Sequence, residues 1–527
     1  MGSSQCATAS TRAACSATPT SSACSGPAPR SHRYKERRPV SEQVAASDEG
    51  INQSFGYKQE LRRALRLFSL YAVAFSIISI TTGLFANYGF GLAHLGAAMI
   101  WLWPVAAVGQ MLVALVVAEL GTRIPLAGYS YQWGARLVNT TYGWFTGFVG
   151  LAYLAVGAAG INFAVLAPLI ASVITGDANN PTLNLIITVV IFAAVLAINI
   201  ISIALASRIN NVAVFTEIAG MVGFGLILFV LWAIHPNHSI NFLGDTGGVH
   251  GGDVLRALPY AALMGIFTIV GFELAADLGE EAVAARVTVP KAVIWSVASS
   301  AILGMVALIG FTIAIPDLGK ITASQVPLVD IVGYWMGDVG KLVFVVVVVF
   351  SILALDVVGL AATGRLIFSF ARDNIIPFSS ALKKVNPQTQ TPIRALVTAS
   401  SLGLLFVAGG YLSAITGKGG SAFLLLITAT ATLPFVVYFL TVLAYVTRRH
   451  RMDKLPEAFD LGVWAKPVMY AALAWILIAL GALMIPKDFW GADLIVVIVL
   501  AVAAGWYFAV LRGRLARGEA GVEQLRG

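Results

Sequence analysis

Long apolar stretches separated by short polar segments fill the chain from about residue 65 onward. A helix needs about 20 mainly apolar residues to cross a bilayer, and twelve stretches approach or exceed this length. They cover residues 67–88, 95–120, 142–172, 183–205, 210–234, 256–279, 291–315, 340–370, 393–414, 421–446, 468–486 and 490–511. The pattern predicts an all-α polytopic membrane protein with twelve transmembrane helices, here called segments one to twelve.

Composition and charge support this interpretation. Only 11% of the 527 residues are charged and 58% are hydrophobic, whereas a soluble protein carries about 25% charged residues. With a cytoplasmic N-terminus, 29 of the 34 Lys and Arg residues fall on the cytoplasmic side, and the other five are Arg256, Lys320, Lys341, Lys418 and Lys487. Because basic residues collect on the cytoplasmic side, the net charge of +8 signals orientation rather than nucleic acid. We expect both termini in the cytoplasm, the plasma (inner) membrane as location, a lipid bilayer environment and no nucleic-acid partner.

The two ends of the chain differ from the rest. Residues 1–60 are rich in Ser, Ala, Thr and Pro and then in basic residues, which predicts a disordered cytoplasmic tail. A regulatory or lipid-contacting role for this tail stays open. It holds all three cysteines, Cys6, Cys15 and Cys24, with no histidine at ligand spacing, so we expect neither a metal site nor a disulfide in the bundle. Residues 513–527 form a second cytoplasmic tail.

Polar and glycine residues interrupt segments one and six. In segment one the interruption is Ser79-Ile80-Thr81-Thr82-Gly83, and in segment six it is Thr268-Ile269-Val270-Gly271. A broken helix is tolerated in a bilayer where it lines a protected cavity, and breaks at matching places in two halves are typical of inverted-repeat transporters. We therefore predict a first repeat over residues 65–240 (segments one to five), a second over 250–446 (segments six to ten), and two added helices over 466–512.

A broken helix offers two kinds of binding group. The free N–H groups at the start of a half-helix favour an anion such as a carboxylate, and the free carbonyl groups accept hydrogen bonds from an ammonium. Such a site suits an amino acid zwitterion. The candidate substrate-binding residues on this ground are Ser79, Thr81, Thr82, Gly83, Thr268 and Gly271. Alternatively, Gly83 and Gly271 are close-packing glycines, which are common in membrane helices.

Three sets of motifs occur in order at family-like spacing. They are Glu119-Leu120 with Arg123-Ile124-Pro125 and Tyr129, Gly271-Phe272-Glu273 with Glu280-Glu281 and Val289-Pro290, and Arg365 with Ala371-Arg372-Asp373. Over residues 65–511 the chain thereby resembles the amino acid–polyamine–organocation (APC) family. The region Trp101-Leu102-Trp103-Pro104 is most similar to the amino acid/choline branch, which includes 4-aminobutyrate permeases.

The resemblance implies a leucine-transporter-like fold, with five plus five inverted helices and two more. It also implies a secondary active transporter, not an enzyme, whose small-molecule substrate is an amino acid or related amine, such as 4-aminobutyrate, a neutral amino acid or choline. Thr81-Thr82-Gly83 corresponds to the Gly-Ser-Gly stretch whose amides bind the substrate carboxylate, although only the last glycine is kept here. Phe267 corresponds to an aromatic gate over the substrate and is also a candidate binding residue.

Three acidic residues lie at predicted bilayer depth, where a charge is costly and therefore a functional candidate. Glu217 in segment five is either a protonatable coupling group or a neutral structural acid; in proton-coupled relatives a lysine stands at the matching place. Asp356 in segment eight is a partner of Glu217, a binder of a substrate amine, or an acid in a wet vestibule. Glu273 matches an acid that relatives use in proton sensing, while Asp277 is expected on a solvated loop face.

At the cytoplasmic ends, Glu119, Arg123, Arg372 and Asp373 are expected to pair with charged neighbours and hold an inward gate. No convincing sodium-ligand cluster is seen around Ser351 and Thr363, so a proton is the expected coupling ion, sodium is less favoured, and no other cofactor is expected. We predict proton-coupled import by alternating access. An antiporter stays open as an alternative, with a channel or sensor less favoured, and the sequence leaves the substrate and the oligomeric state undecided.

Overall fold

The computed structural model describes residue 50 and residues 52–201, 203–417, 422–452 and 458–522. The predicted tail up to residue 49, with its three cysteines, and the last five residues lie outside the described residues. Among the described residues the regular structure is helical and no strand is formed.

The described helices follow one another through short connections. The first nine are α1 (Leu67–Ile78), α2 (Ile80–Leu95), α3 (Leu102–Arg123), α4 (Tyr129–Leu137), α5 (Thr140–Ile161), α6 (Ala167–Thr175), α7 (Pro181–Ile201), α8 (Ile203–Glu217) and α9 (Gly223–Ile234). The others are α10 (Gly252–Thr268), α11 (Leu274–Asp277), α12 (Ala285–Ile313), α13 (Leu318–Thr322), α14 (Pro327–Arg372), α15 (Ser379–Leu382), α16 (Ile393–Thr416), α17 (Ala422–Arg448), α18 (Ala465–Met484), α19 (Trp490–Trp506) and α20 (Arg512–Ala516).

Turns of other helix types connect several of these elements. One turn of π-helix joins α5 to α6, α8 to α9 and α19 to α20, at Asn162–Leu166, Ile218–Val222 and Tyr507–Leu511. Short 3-10 turns occupy Gly96–Trp101, Ile240–Gly244, Gly279–Glu281, Arg449–Arg451, Gly462–Trp464 and Lys487–Phe489.

Ten described helical stretches are long and apolar enough to cross a membrane, and the prediction of an all-helical membrane protein is confirmed. Each of the twelve predicted stretches overlaps a helix. Helix length does not confirm the number twelve, because segments one and two fall in one continuous stretch, Leu67–Arg123, and because α10 of segment six has only 17 residues.

Both predicted helix breaks are present. Segment one breaks at Ser79, whose φ of +39° lies in the left-handed region that L residues rarely adopt. Segment six ends its first helix at Thr268 and resumes at Leu274, with Gly271 at a φ of +88° between them.

The two breaks pack against each other in the middle of the bundle. A Cβ atom on Gly83 would collide with the side chain of Thr268, and one on Gly271 would collide with Ile77. The close-packing interpretation of these two glycines is therefore geometrically correct, and at Gly271 the positive φ adds a second reason for glycine.

The outer faces of the bundle are apolar. Val190 on α7, Leu226 on α9 and Val497 on α19 are exposed, although they are among the most hydrophobic residue types. Such exposed positions fit a lipid-facing surface, while polar and charged residues such as Glu119, Glu217 and Arg365 are buried inside.

Candidate functional site

A cavity of about 80 Å³ lies beside the two helix breaks and is walled by residues of α1, α2, α5, α7, α10 and α14. Among the predicted substrate-binding residues, Thr82, Gly83 and Phe267 line it, and most of the remaining wall is apolar. The other predicted binding residues belong to the breaks but not to the cavity lining; they are Ser79, Thr81, Thr268 and Gly271.

Glu217 lies against the break in segment one. Its Oε1 accepts hydrogen bonds of 3.0 Å from the Ser79 hydroxyl and of 3.0 Å from the Thr81 amide. The Ser79 Oγ in turn accepts from the Thr82 amide at 3.2 Å and lies 2.6 Å from the Thr82 hydroxyl. Since Ser79 has a single proton, which it donates to Glu217, the Thr82 hydroxyl must donate to Ser79. A hydrogen-bonded chain thus connects the cavity wall at Thr82 to the buried carboxylate.

Asp356 reaches the same cavity from the opposite wall. It is 6% exposed and its Oδ1 accepts a 2.9 Å hydrogen bond from Asn162 Nδ2. Asn162 begins the π-helical turn between α5 and α6, a feature frequent at functional sites. Asp356 and Glu217 accept hydrogen bonds from different elements, which favours the alternatives to a partnership between the two carboxylates.

Glu273 follows the break in segment six. Its Oε2 accepts a 2.7 Å hydrogen bond from the Tyr438 hydroxyl, which accepts a 3.0 Å bond from the Gly271 amide. Tyr438 of α17 therefore braces the break and the acid together. Glu273 does not line the cavity, so the three candidate acids occupy three separate places around it.

Glu119 and Arg123 belong to a first ion-pair cluster. Glu119 accepts from Tyr445 and pairs with Arg449 at 3.0 Å, and Asp460 pairs with Arg123 at 2.7 Å and with Arg449 at 2.9 Å. The cluster ties the C-terminal ends of α3 and α17 to the loop before α18. The Gly462 amide, which donates to Asp460, and the two guanidinium groups hold the pKa of Asp460 below its ordinary value.

Arg372 and Asp373 belong to a second cluster, at the end of α14. Arg372 pairs with Glu280 at 2.9 Å, and two turns earlier Arg365 pairs with Glu281 at 2.6 Å. Among the described residues Asp373 has no ion-pair partner, contrary to the expectation; it accepts hydrogen bonds from Tyr57, Tyr131 and Gln132. The structure thus separates the four predicted gate residues into two clusters.

Residues 52–66, which we call the strap, cross the second cluster. The Tyr57 hydroxyl donates to Asp373 at 2.7 Å, Arg63 donates to the Ala282 carbonyl, and the Leu65 amide donates to the Glu281 carbonyl. Burial and the Asp373 carboxylate raise the pKa of Tyr57. The predicted end of the disordered tail at residue 60 therefore comes too late, because this part of the chain finds partners on distant elements.

Asp277 is fully buried, so the expected solvated loop position is wrong. Its Oδ1 accepts a 2.6 Å hydrogen bond from the Gly128 amide at the start of α4. The loop between segments two and three covers α11 and removes Asp277 from water.

A larger cavity, of about 530 Å³, lies at the end of the bundle where α14 begins. Phe85 and Phe90 of α2, Phe163 after α5 and Pro327 at the start of α14 contribute to its wall. The bundle therefore has open space at the end where α14 begins, while two ion-pair clusters and the strap cover the opposite end, where α14 terminates.

Sequence reasoning missed three residues that organise the site: Asn162, Tyr438 and Tyr57. Asn162 gave one usable signal, since it is a single amide within the apolar run of segment three. Tyr438 and Tyr57 gave none, because a tyrosine is ordinary in a membrane helix or its flank. Among the described residues, no group of three or more His, Cys, Asp or Glu side chains is placed to hold a metal ion.

Comparison with known proteins fits these observations. The chain is 27% identical to an uncharacterized amino-acid permease of Schizosaccharomyces pombe, over 82% of this chain and 78% of the relative. It is 25% identical to the GABA-specific permease of Saccharomyces cerevisiae, over 84% and 79% of the two chains, and 24% identical to a putative polyamine transporter of Candida albicans, over 84% and 81%. The "Amino acid permease" family profile matches residues 65–508. The chain therefore belongs to the amino acid permease family, within the APC group of membrane transporters.

Proposed function

We propose that this permease is a secondary active transporter that imports an amino acid or a related amine together with protons. The observation that carries the proposal is the buried cavity beside two broken helices, with Thr82 and Phe267 from the breaks and Asp356 from α14 in its wall. A small polar molecule bound there would contact both moving and static parts of the bundle, as alternating access requires.

The cytoplasmic clusters supply the second part of a carrier mechanism. Arg365 and Arg372 of α14 pair with Glu281 and Glu280 of the connection after α11, so α14 and segment six are tied together on the inner side. Opening towards the cytoplasm would require these buried pairs to separate. This arrangement favours a carrier that closes one side at a time over a channel with a continuous pore.

Glu217 is the residue that we assign to proton coupling. Its carboxylate accepts from Ser79 and Thr81 at the start of the half-helix α2, where a negative charge is stabilised. Among the described residues no basic side chain forms an ion pair with it, and its hydrogen-bond partners are the Ser79 hydroxyl and the Thr81 amide. Protonation would weaken its hold on the break in segment one, so proton binding and movement of the broken helix would be linked.

Reconstituted protein tests the proposal. Proteoliposomes holding the full chain should accumulate labelled compounds from a panel of amino acids, choline and polyamines when the outside is acidic, and less so under a sodium gradient alone. Glu217→Gln keeps the shape and the Oε1 acceptor but cannot ionise. It should abolish uptake driven by a pH gradient while leaving exchange of internal for external substrate partly intact. Full pH dependence in this variant would refute the coupling role of Glu217.

An antiporter uses the same fold, and the same liposomes distinguish it. An importer whose empty carrier can reorient accumulates substrate in vesicles that contain no substrate at the start. An obligatory exchanger takes up label only when the vesicles are preloaded. Uptake that requires preloading at every pH would replace the import proposal with exchange.

A further inference from the structure

The unpaired polar atoms of the central cavity indicate the kind of group that binds there. Asn162 Nδ2 donates to the Ala158 carbonyl and to Asp356 Oδ1, both at 2.9 Å. Because both partners are acceptors, the amide nitrogen must face them, and this fixes Asn162 Oδ1 as a free acceptor. Among the described residues, neither this oxygen nor Asp356 Oδ2 has a hydrogen-bond partner.

Both acceptors belong to deeply buried side chains, since Asn162 is 1% and Asp356 6% exposed. A buried acceptor without a donor is costly, and a buried carboxylate more so. The cavity therefore favours a ligand that brings hydrogen-bond donors. A quaternary ammonium has no N–H group, whereas a protonated primary amine brings three.

The charge of the cavity wall agrees with this requirement. Among the described residues that line the cavity, Asp356 is the only charged one, and no Lys, Arg or His is present. A cation would pair with Asp356, while a carboxylate would be buried without a basic partner beside an acid of the same sign.

The backbone amides that would bind a carboxylate already have partners. In segment one the Thr81 amide donates to Glu217 and the Thr82 amide to Ser79. In segment six the Gly271 amide donates to Tyr438. A substrate carboxylate would have to displace these protein groups. The amides expected to bind the carboxylate of an amino acid zwitterion are therefore already hydrogen-bonded to protein groups.

We propose that the cavity binds a protonated primary or secondary amine with an apolar body and no carboxylate, whose N–H groups donate to Asp356 Oδ2 and Asn162 Oδ1. The inference rests on the proposed transport function and narrows its substrate class. The hydrocarbon part of the ligand contacts the apolar wall, which includes Ile161, Phe192 and Leu355.

A matched pair of probes tests the proposal on the unaltered protein. n-Butylamine is 4-aminobutyrate with a methyl group in place of the carboxylate. In lipid nanodiscs at pH 7, titration calorimetry on the full chain should show n-butylamine binding at least about tenfold more tightly than 4-aminobutyrate, because only the latter buries an unpaired anion. Equal or tighter binding of 4-aminobutyrate would overturn the proposal, as would equal binding of the quaternary analogue N,N,N-trimethylbutylammonium.

A pair of variants assigns the effect to its residue. Asp356→Asn keeps the side-chain volume but removes the charge, and should weaken n-butylamine binding at least about tenfold. Asp338→Asn makes the same change at an exposed position of the same helix and should stay within about twofold. An Asp356→Asn protein that elutes as folded and binds n-butylamine normally would overturn the proposal.

Transport separates this inference from the function on which it rests. Uptake of labelled amino acids with no uptake of any amine would overturn the amine proposal and leave the transporter function standing. If liposomes take up no compound of the amino acid and amine panel under any gradient, both fail.

Discussion

The close contact between Gly83 and Thr268 joins the two broken helices. Adding a methyl group at Gly83 gives the sharpest test of the packing in the site. In Gly83→Ala the new Cβ would collide with the Oγ1, Cγ2 and Cβ atoms of Thr268. Overpacking a tight contact costs about 1–3 kcal/mol, whereas alanine in place of glycine within a helix gains up to about 1 kcal/mol.

Gly223 of α9 provides the matched control. A Cβ there has no heavy atom within 4 Å, the helix's own nearby backbone aside, so Gly223→Ala should be neutral or stabilising. The difference in unfolding free energy between the two variants then isolates the collision, and we expect about 1–3 kcal/mol. Heating purified protein in detergent and measuring the fraction that still elutes as folded ranks the variants. Equal stability of the two variants would refute the described packing of the breaks.

A second substitution separates packing from ligand binding at Gly83. Thr268→Ala removes the two closest of the three colliding atoms and leaves the Cβ, so the double variant with Gly83→Ala should recover part of the lost stability, with a coupling of about 0.5–3 kcal/mol. Alanine keeps the amide of residue 83. If the folded double variant still fails to transport, Gly83 is needed for substrate binding or for movement of the helix, and not for packing alone.

Three further variants test the surroundings of the cavity. Asp460→Asn should not move the pH profile of uptake between pH 5 and 8, because a lowered pKa keeps this carboxylate charged throughout that range; a shifted midpoint would contradict this. Tyr57→Phe removes one hydrogen bond to the Asp373 carboxyl and should cost about 1.5–3 kcal/mol of stability. Backbone hydrogen exchange in residues 129–137 should become faster, and unchanged exchange would mean that the strap does not stabilise this region. Tyr438→Phe leaves the Glu273 carboxylate and the Gly271 amide without their hydrogen-bond partner, so thermal unfolding should show a loss of about 1–3 kcal/mol of stability. A loss of stability no larger than that of the exposed control Tyr470→Phe would contradict the role of Tyr438 in holding the break.

The apolar pattern predicts the helices well, because about 20 apolar residues in a row have few other stable structures in a bilayer. The break at Ser79 was also predictable, since three hydroxyl-bearing residues and a glycine interrupt an apolar run there. The pattern is less exact at helix ends: the predicted segment one ends at residue 88, whereas α2 ends at Leu95, and the predicted segment two begins at residue 95, whereas α3 begins at Leu102.

The partners of the buried polar groups were not predictable in the same way. Asp356 could be selected as a rare acid at bilayer depth, but Asn162, which fixes its orientation, lies 194 positions earlier in the chain. Asp277 was misplaced because the Gly128 amide that covers it is 149 positions away. Such pairings depend on how the helices pack in the folded protein, and the local sequence composition does not determine that packing.

Two of the residues discussed above share a backbone feature. Asn162 begins one π-helical turn, and Glu217 immediately precedes another. A π turn holds one residue more than an α turn, so the helices before and after it are out of register by about 100° around the axis. The first half of each membrane helix can therefore face one set of neighbours and the second half another. Deletion of a single residue from either turn would restore a regular α-helix and rotate every side chain beyond it away from its present contacts.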